Sequence, residues 1–112
     1  MVAARLNAWL PVAAWAALIF TVSSVPSLDT GLGTWDTVLR KLAHLGEYAV
    51  LGALLYRAAR REPAAIVLGS LYAVTDEVHQ TFVEGRTGSP VDWLIDTAGV
   101  VAGVLLLSRR PR

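Results

Sequence analysis

No cysteine occurs in the chain. Its absence excludes disulfides, thiolate metal ligation and a cysteine nucleophile. Charge is scarce as well: Asp, Glu, Lys and Arg make up 17% of the 112 residues, against 54% hydrophobic residues, and the net charge is +1. A soluble domain carries about 25% charged residues. That deficit, with a mean hydropathy of +0.50, points to a membrane setting. A charge so near zero offers no basic field for nucleic acid, so no nucleic-acid partner is expected. There is no G-x-S-x-G motif, no internal repeat and no low-complexity stretch. One domain, residues 1–112, is the natural count at this length.

What the chain has in place of charge is long apolar runs. Four can be read, over about residues 6–25, 35–59, 63–83 and 91–107. At 1.5 Å rise per residue, a run of about 20 residues matches a hydrocarbon core of about 30 Å. Pro63 suits the first turn of the third run. Ser89 and Pro90 suit the cap and first position of the fourth, with Asp92 three residues after the cap. The connections are short: a Pro-, Gly- and Ser-containing loop over residues 26–34, a basic hairpin at residues 60–62, and the polar stretch EGRTGS at residues 84–89. Arg5, the apolar run and Val22-Ser23-Ser24 also satisfy a signal-peptide pattern. A retained helix is preferred, because a three-helix remainder would put its basic ends on opposite sides.

The few ionisable groups are segregated. Of the ten basic residues, Arg5, Arg57, Arg60, Arg61, Arg109, Arg110 and Arg112 flank the runs on one side. With the N-terminus in the cytoplasm, the 57–62 hairpin and the C-terminal tail also face the cytoplasm, in accord with the positive-inside rule. Trp35 and Trp93 then fall near the outer interface and Trp9 near the inner one. The remaining basic residues, Arg40, Lys41 and Arg86, go with His44, Glu47, Asp76, Glu77, His79, Asp92 and Asp96 at the extracytoplasmic ends of the second, third and fourth helices. Ionisable groups at that depth mark a functional site by default.

Helical periodicity groups them further. Arg40, Lys41, His44, Glu47 and Tyr48 fall within an arc of about 120°, and Asp76, Glu77, His79 and Gln80 within about 160°. Asp92, Asp96, Gly99 and Gly103 share an arc of about 60°. Gly99 and Gly103 form a G-x-x-x-G, a surface that lets another helix approach closely, so the two aspartates are expected to point into the bundle. Asp92 can equally serve as a cap residue. Asp96 lies a turn deeper, where capping no longer explains it. Lys41 is expected in a buried ion pair, and His79 is read as an interfacial polar residue.

The segments K-L-A-H-L-G-E-Y at 41–48, T-D-E-V-H-Q-T-F at 75–82, G-R at 85–86 and D-W-L-I-D-T-A-G-V-V-A-G at 92–103 resemble the VanZ-like family of small bacterial membrane proteins. The motifs occur in order from about residue 26 to residue 107. The matched positions are Lys41, His44, Tyr48, Asp76, Glu77, Gln80, Phe82, Gly85, Arg86, Asp92, Asp96, Gly99 and Gly103. Residue 96 is Asp here, where the family often has Asn. The resemblance implies a multi-pass protein of the bacterial cytoplasmic membrane. Its family namesake is associated with low-level resistance to the glycopeptide teicoplanin.

The expectation is therefore an all-α, integral membrane four-helix bundle, both termini inside, with a polar pocket at the extracytoplasmic ends of helices two to four. Lys41, His44, Tyr48, Asp76, Glu77, Gln80, Arg86, Asp92 and Asp96 are the candidate ligand-binding residues, and Gly99 and Gly103 the packing residues. Beyond the bilayer itself, the expected partner is a phosphate- or carboxylate-bearing envelope lipid or cell-wall precursor, because Arg holds such groups bidentately and Lys adds a point charge. An alternative is an intramembrane hydrolase or transferase with His44 as base or nucleophile and Asp76, Glu77 and Asp96 as further candidates. A third reading is a salt-bridged plug that only fixes packing. Three basic groups (Arg40, Lys41, Arg86) face five acidic ones (Glu47, Asp76, Glu77, Asp92, Asp96), an imbalance that weighs against a closed plug. No cofactor is expected. The N/O donors exceed what a divalent metal needs, although their spacing matches no metal motif.

Overall fold

The computed structural model describes the backbone of residues 2–24, 34–82 and 90–110. All secondary structure in them is helical, in the order α1 (Val2–Ser23), α2 (Thr34–Ala59), α3 (Glu62–Gln80) and α4 (Pro90–Ser108). Four helices were expected, and their ends lie within a few residues of the sequence reading. α1 starts earlier than residue 6 and runs through Pro11, which lacks an N–H and forgoes one rung of the helical ladder. α3 stops at Gln80, where the Thr81 N–H is shared between the Glu77 and Val78 carbonyls. The expected loops over residues 26–34 and 84–89 lie outside the described residues, apart from Thr34, which opens α2.

The α2–α3 connection is tight. Arg60 adopts φ 62°, a left-handed conformation that stops α2 at a cost of about 1–2 kcal/mol for a residue with a Cβ. Arg61 is extended, and α3 begins with Glu62 and Pro63 in its first turn. There a carboxylate suits the helix dipole and the missing proline N–H is no loss.

Directions follow from contacts between helix ends. The starts of α2 and α4 and the ends of α1 and α3 meet at one end of the bundle, through His44–Asp96, Tyr48–Asp76 and Gln80–Ser23. At the opposite end Tyr56, Arg57, Arg60, Leu107, Ser108 and Arg110 line an open groove of about 620 Å³. So α2 and α4 run parallel, and α1 and α3 run against them. α2 and α4 form the most extensive pair, α3 packs on both, and α1 lies on α2 and α3.

Glycine makes the α2–α4 contact this close. A Cβ at Gly103 would collide with the Ala49 carbonyl, and one at Gly99 would sit 2.6 Å from the Leu45 oxygen. α2 reciprocates with Gly52, which abuts the Val100 backbone, while α3 brings Gly69 against the Val100 side chain. Val100 is fully buried in this notch, with Tyr48, Leu51, Leu55, Ala65, Ala73 and Val104 around it and Ile19 contributed by α1.

The outside is apolar. Leu10, Leu42, Leu68, Leu71, Leu94 and Leu106 are among many large hydrophobic residues exposed on all four helices. A water-soluble monomer rarely exposes contiguous apolar surface on this scale. α1 over Ala3–Ser23 and α4 over Pro90–Ser108 are long and apolar enough to cross a membrane, with mean hydropathies of 1.5 and 1.7. α2 and α3 owe their lower apolarity to the polar residues that meet at one end.

Candidate functional site

Helix spacing brings the polar side chains together. Lys41, His44 and Tyr48 follow one another at i, i+3 and i+7 on α2, so they form a single stripe. Asp76 and Gln80 stack at i, i+4 near the end of α3, and Asp92 and Asp96 do the same at the start of α4. Because α2 and α4 are parallel and locked by glycine, their stripes meet rung by rung. Lys41 Nζ donates to Asp92 Oδ1 at 2.7 Å, and one turn further His44 Nδ1 donates to Asp96 Oδ1 at 3.1 Å. On the α3 side, Tyr48 donates its phenolic hydrogen to Asp76 Oδ2 at 2.9 Å, and the Gln80 amide lies 3.4 Å from His44 Nε2.

The site is graded in depth. Lys41 and Asp92 form its rim, with side chains 42% and 27% exposed, so this ion pair is half-open to solvent rather than buried as the sequence suggested. His44 is 16% exposed, and Asp76 and Asp96 are 2% and 1% exposed. Each deep carboxylate receives one donor and keeps a second oxygen, Asp76 Oδ1 and Asp96 Oδ2, buried with no hydrogen-bond partner among the described residues. Buried polar atoms are nearly always satisfied, so orphaned oxygens on the two most deeply buried carboxylates of the site call for a cause. One ligand atom from each of His44, Asp76 and Asp96 lies within 4.8 Å of the other two.

The other expected residues are placed as follows. Glu77 and Glu47 are half-buried. Gly99 and Gly103 face the α2 backbone as described. Arg40 is exposed and its Nε reaches back to the Asp36 carbonyl at 3.4 Å. Phe82 is 84% exposed. His79 stacks on Phe20 with ring centroids 4.0 Å apart and contacts Ser24 Oγ at 3.3 Å. Trp93 turns inward, where its indole donates to the Ser70 carbonyl at 3.2 Å. Arg86, Gly85 and the Ser89 cap position lie outside the described residues.

Sequence reasoning missed the share of α1. Ser23 is buried against Gln80, Trp15 Nε1 donates to the Glu47 carbonyl at 2.9 Å, and the Tyr72 hydroxyl donates to the Ala16 carbonyl. These contacts hold the first helix across the site's back wall. Only Ser23, a polar residue closing an apolar run, hinted at them.

A polar site of this composition, closed at one end of an apolar bundle of four helices, is the arrangement that the ordered K-x-x-H-x-x-x-Y, D-E-x-x-Q and D-x-x-x-D-x-x-G motifs encode. The chain belongs to the VanZ/LLP1 family, whose model matches residues 5–110. No curated protein and no solved structure matches it.

Proposed function

We propose that this VanZ-like membrane protein is a multi-pass protein of the bacterial cytoplasmic membrane. Both termini lie in the cytoplasm, and its polar end binds a phosphate- or carboxylate-bearing envelope ligand at the outer face. The observation that carries this reading is the separation of surfaces: a polar network at one end, arginines at the other, and exposed apolar side chains between. α2, at 26 residues, is about 39 Å long, enough to cross the hydrocarbon core and extend into the headgroup region. Arg57, Arg60 and Arg110 gather at the opposite end, as the positive-inside rule asks of a cytoplasmic face. Lys41 at the rim and the His44 imidazole behind it are the described donors for an anionic group. Such a ligand connects to glycopeptide susceptibility because envelope precursors present phosphate and carboxylate at this face.

The test is binding of a polyprenyl phosphate to the purified protein in nanodiscs. Saturable binding is expected, weakened at least about tenfold, or about 1.4 kcal/mol, in Lys41→Ala and His44→Ala variants that keep their melting temperature. Binding no tighter than that of the uncharged polyprenol refutes the reading.

One observation favours a second reading. Asp96 receives the His44 Nδ1 hydrogen, the way a carboxylate orients a catalytic imidazole. In a hydrolase or transferase acting on a lipid-linked substrate, Nε2 of that imidazole would act as base or nucleophile. Release of inorganic phosphate from the same probe, abolished by His44→Gln, separates this from binding alone.

A further inference from the structure

The described site is poorly suited to an anion as it stands. Asp76 and Asp96 carry a formal charge of −2, and among the described residues no Lys or Arg pairs with either; Lys41 is committed to Asp92. A phosphate approaching two buried carboxylates is repelled unless positive charge lies between them.

We propose that His44, Asp76 and Asp96 form a binding site for a divalent cation of the zinc–manganese class. Three observations carry this. The first is convergence: three donors from three helices lie within 4.8 Å of one another. The second is the pair of orphaned oxygens, Asp76 Oδ1 and Asp96 Oδ2, on side chains 2% and 1% exposed. Hydrogen bonds account for the other oxygen of each carboxylate, and a cation accounts for these. The third is the supporting shell. Tyr48 holds Asp76 through Oδ2, and Gln80 lies beside His44 Nε2, as residues that orient metal ligands from behind commonly do.

Size and donor type select the ion. Zinc bound at about 2.0 Å in a tetrahedron has donors about 3.3 Å apart. His44 Nδ1 and Asp96 Oδ1, 3.1 Å apart, share a hydrogen in the described state; an incoming cation would displace that proton, as metal binding to imidazole does. The widest of the three separations would close by at most roughly 1.5 Å to reach that edge. One imidazole and two carboxylates suit zinc or manganese. Calcium and magnesium prefer shells made of oxygen, and the soft donors that select copper(I) are absent from the cluster. Three protein ligands leave a coordination position open, as in reactive rather than purely structural zinc sites. A dication there neutralises the two carboxylates and offers its open position to an anionic oxygen. The cation site needs no ligand; its role as a bridge to phosphate rests on the function proposed above.

The experiment uses untagged full-length protein in detergent, stripped with EDTA, then titrated calorimetrically with Zn²⁺, Mn²⁺, Mg²⁺ and Ca²⁺. One equivalent of Zn²⁺ or Mn²⁺ is expected, bound more tightly than Mg²⁺ or Ca²⁺. His44→Gln, Asp76→Asn and Asp96→Asn should each weaken it at least about tenfold, and His79→Gln should leave it unchanged. No saturable uptake by the wild type, equal binding of all four ions, or undiminished uptake in the three variants overturns the site. Should those variants fail to fold, pulsed EPR of the Mn²⁺-loaded wild type decides. A single imidazole nitrogen coupling that persists in His79→Gln identifies His44, because the chain has only two histidines; no nitrogen coupling overturns the proposal. Polyprenyl phosphate binding is measured on the same preparations. Phosphate binding without metal uptake refutes the cation site and leaves the ligand reading standing. Metal uptake without phosphate binding does the reverse.

Discussion

At the scale of single residues, the site mixes interactions of very different worth, and exposure decides which matter. Tyr48 is fully buried, and among the described residues its hydroxyl is the one donor to Asp76. Tyr48→Phe leaves both oxygens of a buried carboxylate without a donor from the described side chains, so a loss of about 1–3 kcal/mol is expected. Lys41 and Asp92 are closer together, at 2.7 Å, yet stand 42% and 27% exposed. Solvent screens that pair, and Lys41→Gln should cost less than about 1 kcal/mol. Unfolding of the two variants in mixed micelles, followed by circular dichroism, checks the order. A Lys41→Gln loss equal to that of Tyr48→Phe would mean the rim is as dry as the interior. Partner choice at this scale was only partly legible. Spacing placed Lys41 opposite several acidic groups, and the choice of Asp92 depends on the axial offset between α2 and α4, which helical periodicity on one segment does not contain.

At the scale of helices, glycine sets how closely α2, α3 and α4 approach. Gly52 and Gly103 face backbone atoms of the neighbouring helix, whereas a Cβ at Gly46 meets nothing within 4 Å. Gly46→Ala should therefore be neutral or stabilise by up to about 1 kcal/mol through helix propensity. Gly52→Ala and Gly103→Ala should each cost about 1–3 kcal/mol, because the helices must part to admit a methyl group. Thermal melts of the three variants in one detergent test the contrast, and a uniform response would remove the close contact from the account. The four helices were legible because apolar runs of membrane-spanning length are interrupted by Pro, Gly and short polar stretches. The G-x-x-x-G of α4 was legible as a pattern. Gly52 and Gly69 were not, since their role appears only when Val100 from a third helix sits between them. The contacts of α1 were equally hidden: Trp15 and Tyr72 donate to backbone carbonyls, and a carbonyl carries no residue signature.

At the scale of the whole molecule, opposite ends carry opposite chemistry, and a membrane converts that polarity into an orientation. The missing cysteines make this directly testable, because any introduced thiol is the sole one in the chain. Ser24, exposed at the polar end, and Arg110, exposed at the arginine end, are the informative positions. In intact cells a membrane-impermeant maleimide should label Ser24→Cys and leave Arg110→Cys unlabelled until the membrane is opened. The reverse pattern would place the polar site in the cytoplasm and withdraw envelope ligands as its partners.

The pairing of α2 with α4, rather than with its neighbour in sequence alone, also has a consequence for how the protein is made. Synthesis proceeds from the N-terminus, so α2 and α3 emerge before the helix that completes their site. Until α4 arrives, Tyr48 can already find Asp76, but Lys41 and His44 lack Asp92 and Asp96 as partners. The nascent chain thus waits with its polar groups half-matched. The arrival of the last helix delivers both aspartates on the same face as the glycines that dock it. Docking and charge matching become one event, and a chain that stalls before residue 90 would be recognisable by its unmatched cations.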